Sequence, residues 1–232
     1  MIELYLLLLL ILLVLLVLLV IFRRKESFKT NVSPSEIPIL IISSPEHFSR
    51  SKERLNNLGF KNIKRIPPVY LKDRGNCQTK NLSLSELGVS KAHHSCFKEI
   101  LKTNKNAIIL EEDWRYSLSN DLFIKKIVDY YIFFSSNDLD ILWLGYCGDG
   151  CTHSYIVSPK SIKMLLDLNY CDKPIDILLY GLCRSKSLKC FKASNELHDN
   201  KIYYGQGLVF QDRKNIQGIH DHNNARTSKF AL

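Results

Sequence analysis

The segment "NAIILEEDWRYS", Asn106 to Ser117, sets three carboxylates, Glu111, Glu112 and Asp113, directly behind four apolar residues. Acids pressed against the end of a buried segment lose solvation and repel one another, so they persist there only with a compensating partner. In an extended chain, side chains two apart share a face, which predicts that Glu111 and Asp113 converge while Glu112 points the other way. A divalent cation turns that repulsion into attraction, and oxygen ligands select Mn²⁺ or Mg²⁺. The chemistry that calls for this arrangement is sugar transfer from a nucleoside diphosphate, because a metal neutralises the charge building on the leaving diphosphate. A solvated acidic turn at a strand end accounts for the same three residues without any chemistry.

The elements that must position the cluster can be read from the pattern around it. "IPILIIS", Ile37 to Ser43, is a short apolar run bounded by Pro and Ser, as in a buried strand. "PEHFSRSKERLNNLG" follows, opening on Pro45 and closing on Gly59, the punctuation of a helix. "FKNIKRIPPVY" then resumes an extended pattern, and the resulting β-α-β unit predicts a parallel sheet. Ser83-x-x-Glu86 is a capping box ahead of Leu87, His93, Cys96, Phe97, Ile100 and Leu101, a stripe at helical spacing that leads into "AIIL". Further on come a helix in "DLFIKKIVDYYIFF", a strand in "LDILWLGY", an extended "HSYIV", helices in "KSIKMLLDL" and "PIDILLYGLC", and extended stretches "LKCFKA" and "KIYYGQGLVFQ". Strands alternate with helices throughout, which defines an α/β class. In such sheets ligands collect outside the carboxyl ends of the strands, where "EED" falls.

Residues 4 to 22 are nineteen consecutive apolar or aromatic residues followed at once by Arg23, Arg24 and Lys25, long enough to span a bilayer as a helix. The expected organisation is therefore an anchor over 1–24, a polar stem over 25–36, a catalytic domain over 37–215 and a polar tail over 216–232. With 46% hydrophobic and 24% charged residues, the chain has a composition that leaves room for an ordinary globular domain. The chain's 32 basic against 23 acidic residues suit phosphate-bearing substrates or an anionic membrane surface. The lysines are scattered without interleaved aromatics, which argues against nucleic acid. Seven cysteines lack paired C-x-x-C modules, so zinc is disfavoured and at most three disulfides can form. Two sequons, Asn31-Val32-Ser33 and Asn81-Leu82-Ser83, have meaning only in a secretory lumen. The basic cluster after the anchor favours a cytosolic body, whereas single N-terminal anchors ahead of long domains often deliver them to the lumen. The sequence leaves the side open.

Taken together, the blocks resemble glycosyltransferase family 25, the lipopolysaccharide and collagen galactosyltransferases. "LSLSELGVSKAHHSCF", Leu82 to Phe97, followed by "AIILEED", resembles that family's "GEIGCALSH" helix and "LEDD" strand end, with Glu86, Gly88 and His93 matching. "SYIVSPKSIKMLLD", "KPIDILL" and "GLVFQD" resemble its later segments in the same order. The chain departs from the pattern at Glu112, where the family has Asp, at Ala92 in place of Ser, and at "IISS" in place of "INL". The resemblance implies a GT-A nucleotide-sugar fold, a Rossmann-like mixed sheet flanked by helices. It also implies a UDP-sugar donor, a metal at the acidic motif, and inverting transfer to a glycan, lipid-linked or protein acceptor.

On that reading Glu111 and Asp113 hold the metal, with His220 (and His222) in "GIHDHN" as a further ligand, though a polar tail accounts for those histidines equally. Glu112 and Asp176 are the catalytic candidates, Asp176 as the base that takes the acceptor proton. A first-turn carboxylate behind Pro174, favoured by the helix dipole, is the plain alternative for Asp176. Arg50 and Arg54 on the first helix would serve the diphosphate. Glu86 and His93 are donor-site candidates, against a capping role and a satisfied core histidine. Trp114 would line the sugar or base site. Asp149 in "GYCGDGC" offers a contact on a glycine-rich loop. Two other classes stay open: a degenerate sugar-nucleotide-binding or interaction module without turnover, and a metal-dependent phosphohydrolase.

Overall fold

The structure, a computed structural model, describes residues 11–15, 32–77, 81–147, 150–193 and 206–211. The chain divides into two units, Met1–Val32 and Ser33–Leu232. In the first, residues 11–15 are helical, and the rest of the expected anchor lies outside the described residues. Among the described residues no helix is long and apolar enough to cross a membrane.

The second unit opens with β1 (Ile39–Ile42), α1 (Pro45–Asn57) and β2 (Ile63–Ile66), followed by α2 (Leu84–Thr103), β3 (Ala107–Glu111), β4 (Trp114–Arg115) and α3 (Asn120–Ser136). It continues with β5 (Ile141–Cys147), β6 (Gly150–Val157), α4 (Ile162–Leu166), α5 (Ile175–Arg184), β7 (Cys190–Lys192), β8 (Gln206–Gly207) and β9 (Phe210–Gln211). One mixed sheet runs β2-β1-β3-β6-β5-β7, with β8 added on β5, and β4 pairs with β9 in a separate ribbon.

The β-α-β unit forms in parallel, with Ile39 opposite Ile63, and β3 lies parallel on the other side of β1, with Ile42 opposite Glu111. The expectation of a parallel sheet fails at β6, which is antiparallel to both β3 and β5. The reason is chain length: only two residues separate β5 from β6, which permits antiparallel pairing alone, whereas a parallel return needs a long crossover. β7 runs parallel to β5, the chain having returned through β6, α4 and α5 between them.

All four residues of β1 are buried, as are Ala107 to Leu110 of β3. Burial on both faces explains why these strands read as unbroken apolar runs rather than alternating ones. On one face Leu40, Ile42, Ile109, Trp143 and Tyr155 pack against Ala92, Cys96, Phe97 and Ile100 of α2 and Ile175 and Leu179 of α5. The predicted punctuation forms as well. Ser44 caps α1 with Pro45 in the first turn, Gly59 takes a φ of +87° just past its end, and Ser83 and Glu86 close a reciprocal capping box on α2. Gly88 sits where α2 presses on the preceding loop, and a Cβ there would collide with the carbonyl oxygen of Val69.

Among the described residues two disulfides staple the body. Cys77–Cys171, with Cα atoms 5.1 Å apart, closes a separation of 94 residues, and Cys183–Cys190 ties the end of α5 to the start of β7. The first packs in a satellite core with Leu82, Leu87 and Leu71. Closing a loop of that length removes about 4.5 kcal/mol of freedom from the unfolded chain on the chain-entropy account. For a domain of this size each kcal/mol shifts the melting midpoint by about 2 to 4 °C. The paired Cys77→Ser, Cys171→Ser variant is therefore expected to melt about 10 °C lower in a fluorimetric scan; an unchanged midpoint contradicts the staple.

Candidate functional site

The chain passes from β1 through α1 to β2 on one side, while β3 takes the other side of β1. That reversal of direction falls at the carboxyl ends of the two strands, the place where open α/β sheets bind ligands. Ser43 and Ser44 follow β1 at that end, and Glu111 closes β3 there with Glu112 and Asp113 directly behind it.

Glu112 turns toward α1. Its Oε2 accepts the Ser44 backbone N–H at 3.1 Å and pairs with His47 Nδ1 at 3.0 Å. A carboxylate in this position satisfies a backbone donor left open at the start of a helix and meets the positive end of its dipole. Ser44 Oγ in turn accepts from the His47 backbone N–H, so one short turn, Ser44 to His47, is tied to the end of β3.

Glu111 turns the opposite way. Its Oε1 accepts from Thr152 Oγ1 of β6 at 2.8 Å and from His93 Nε2 of α2 at 3.3 Å. Because a carboxylate only accepts, Nε2 carries a proton, and His93 Nδ1 lies 2.9 Å from the Tyr155 hydroxyl. His93 and Tyr155 are both fully buried. Burial works to raise the Glu111 carboxyl, but the hydrogen bond and charge of His93, the charge of His153 and the Thr152 hydrogen bond together hold it below the usual carboxylate range. Burial pushes the Tyr155 phenol far up, with the nearby Cys96 and Glu111 adding to it, so the hydroxyl stays protonated.

The strand ends at Glu111, and residues 112 and 113 form a turn into β4. The alternation from which a shared face for Glu111 and Asp113 was expected therefore extends only as far as Glu111, because it holds only while the chain stays extended. Asp113 is buried. Trp114 is a correction. Instead of lining an open site it is fully buried, its indole N–H donates to Ser51 Oγ of α1 at 3.3 Å, and its ring stacks with Tyr116 and Phe123. An indole buries a large apolar area once its single donor is met, and Ser51 meets it.

Arg54 reaches the start of β4, its guanidinium carbon 5.3 Å from the Trp114 ring and Nη1 at 3.5 Å from the Trp114 carbonyl. Arg50 does not join it; its Nη2 pairs with Glu46 at 2.9 Å on the exposed side of α1. Glu86 is engaged in the capping box, where its Oε2 accepts the Ser83 N–H at 2.8 Å. Asp176 lies in the first turn of α5 and accepts the Ile177 N–H at 2.9 Å, on a helix that packs on the same face of the sheet as α2. His220, His222 and Asp149 lie outside the described residues.

Among the described residues no group of three or more His, Cys, Asp or Glu is placed to hold a metal ion. The donors present fit a cation only in the form that Mg²⁺ and its kin commonly take at phosphates, with one or two protein carboxylates and substrate oxygens for the rest.

Sequence reasoning missed His47, Thr152, Tyr155 and His153. The signal for His47 was local, three residues past the Ser44 cap. Thr152 and Tyr155 enter through strand register, with Tyr155 opposite Ile109, which no spacing in the sequence announces. His153 is buried and its Nε2 lies 3.0 Å from the Val209 carbonyl, an approach open only because Gly145 carries no Cβ to strike either group.

No protein-family model matches the chain, and no curated protein matches it. A solved structure similar to it is a glucose-1-phosphate thymidylyltransferase from Bacillus anthracis, in complex with sucrose. The two share 12% identity and a TM-score of 0.43, over 68% of this chain and 87% of that one. A superposition of that quality establishes neither family nor activity.

Since Glu111 is held below its ordinary value, its contribution to stability is complete above the usual carboxylate range and is lost as pH falls through the folded-state value. Glu111→Gln should remove that pH-dependent part. Urea titrations should show the two proteins diverging by about 1.5 to 3 kcal/mol at neutral pH, the worth of hydrogen bonds to a charged group, and converging in acid. A constant difference at all pH values contradicts the ionised Glu111.

Proposed function

We propose that this chain is a membrane-anchored glycosyltransferase of the GT-A type, similar to family 25, which moves a hexose from a UDP-sugar to a hydroxyl of a glycan, glycolipid or glycoprotein with inversion. The observation that carries the reading is the position of the acidic cluster, outside the carboxyl ends of β1 and β3 at the reversal of strand order. The ordered motif blocks described above support it, and UDP-galactose is the donor favoured by that resemblance.

Inverting transfer needs a base on the face opposite the leaving diphosphate. Asp176 has that role in the proposal, taking the acceptor proton as its oxygen attacks the anomeric carbon and UDP departs. Arg54, held on Trp114 just past the acids, would lend its charge to the departing diphosphate. Glu112 fixes the turn that begins α1, so its part in catalysis is to position that turn. Mn²⁺ or Mg²⁺, when bound, would neutralise the diphosphate, with Glu111 and Asp113 as protein ligands and His220 as a further donor.

A second reading, a sugar-nucleotide-binding module without turnover, has one observation in its favour: an oxygen of Glu111 and one of Glu112 already serve protein partners. Release of UDP separates the two. With Mn²⁺ and a UDP-sugar present, the purified chain is expected to melt higher by about 5 to 10 °C at saturating ligand. It is also expected to release UDP on adding acceptor. Asp176→Asn should keep the melting shift and lose the release. A shift without release in the wild type assigns the binding module, and no shift with any nucleotide sugar overturns both readings.

A further inference from the structure

We propose that Asn81 is an N-glycosylation site, and that the body is accordingly delivered to the oxidising, lumenal side of the membrane. Three independent observations meet at one loop. Asn81-Leu82-Ser83 is an acceptor triplet whose middle residue is not Pro, and the Asn81 side chain is exposed. Four residues earlier, Cys77 is bridged to Cys171, and Cys183 is bridged to Cys190. Structural disulfides form and persist in the compartments where such triplets are modified, and they are rare in the cytosol. Two bridges within one body weigh against the cytosolic orientation favoured by Arg23, Arg24 and Lys25.

The geometry also sets the order of events. In the folded protein Leu82 is buried and Ser83 Oγ both donates to Glu86 Oε2 at 2.9 Å and accepts the Glu86 N–H at 3.1 Å. The triplet's hydroxyl is thus committed to the cap of α2, and the loop is pinned by a bridge to a cysteine 94 residues downstream. Glycan addition therefore precedes closure of the capping box, while the segment is still extended and Cys171 has not yet arrived. The transfer uses a lipid diphosphate-linked oligosaccharide. The bond from the sugar's anomeric carbon to the diphosphate breaks, a new bond to Asn81 Nδ2 forms, the amide releases one proton, and the lipid diphosphate leaves.

Full-length chain translated in the presence of translocation-competent microsomes tests this. The wild type should show an endoglycosidase-sensitive shift in mobility and protection from added protease. Asn81→Gln should lose the shift at Asn81 while remaining protected, and Asn31→Gln should retain it. Faster migration without reductant, lost in the paired Cys77→Ser, Cys171→Ser variant, should accompany protection. Protease-accessible, unshifted wild-type chain overturns the proposal, as does a shift that survives Asn81→Gln unchanged.

Discussion

Three acids at the end of one buried strand impose a constraint that reaches across the body. Each carboxylate removed from water needs donors, and an unmet charge in that position costs several kcal/mol. Glu112 finds them at the start of α1, 68 residues back in sequence at Ser44 and 65 at His47. Glu111 finds them 18 residues back on α2 and 41 residues ahead on β6. Satisfying the two carboxylates therefore pins three elements, α1, α2 and β6, to the tip of β3. The chain at the strand-order reversal is held by those bonds as well as by apolar packing.

Directly behind the acids the chain does the reverse, burying its largest apolar side chain. Trp114 closes against α1 through Ser51 and the Arg54 guanidinium, and against α3 through Phe123. The acidic turn thus hangs between a hydrogen-bonded strand end and an aromatic anchor. Such over-determination is what holds binding groups in place more rigidly than a free loop does. Across the sheet, Gly145 opposite Gly207 lets the β8 segment lie flat on β5, which brings the Val209 carbonyl to His153.

The local parts of this arrangement were legible in the sequence. Pro45, Gly59, Ser83 and Glu86 fixed both ends of one helix and the start of another, because capping depends on residues within one turn. The unbroken apolar runs "ILII" and "AIIL" identified the two central strands, because strands covered on both faces have no polar side to show. Long-range pairing was not legible. β6 turned antiparallel for want of chain between it and β5, and Thr152 and Tyr155 reached the site through that register. The alternation argument for Glu111 and Asp113 stopped short for a related reason, since an alternation rule cannot see that the strand ends at Glu111. Trp114 misled because an aromatic next to an acidic cluster has the same appearance in sequence whether it faces a cleft or the core.

The electrostatics of the strand end bear on how the proposed donor would be taken up. Three acids gathered at one strand end repel a diphosphate, while the α1 dipole, His47 and Arg54 recover only part of the balance, and Glu112 already occupies the first donor of that helix. A diphosphate alone would therefore bind weakly. A cation alone would find no three-ligand group among the described residues. Each lacks what the other carries, so on the proposed function the affinity for either must rise when the other is present, and by the same factor, because the coupling between two ligands is reciprocal. The buried partners of Glu111 and Glu112 sharpen that dependence, since oxygens held by Thr152 and Ser44 are not spare to complete a coordination shell on their own.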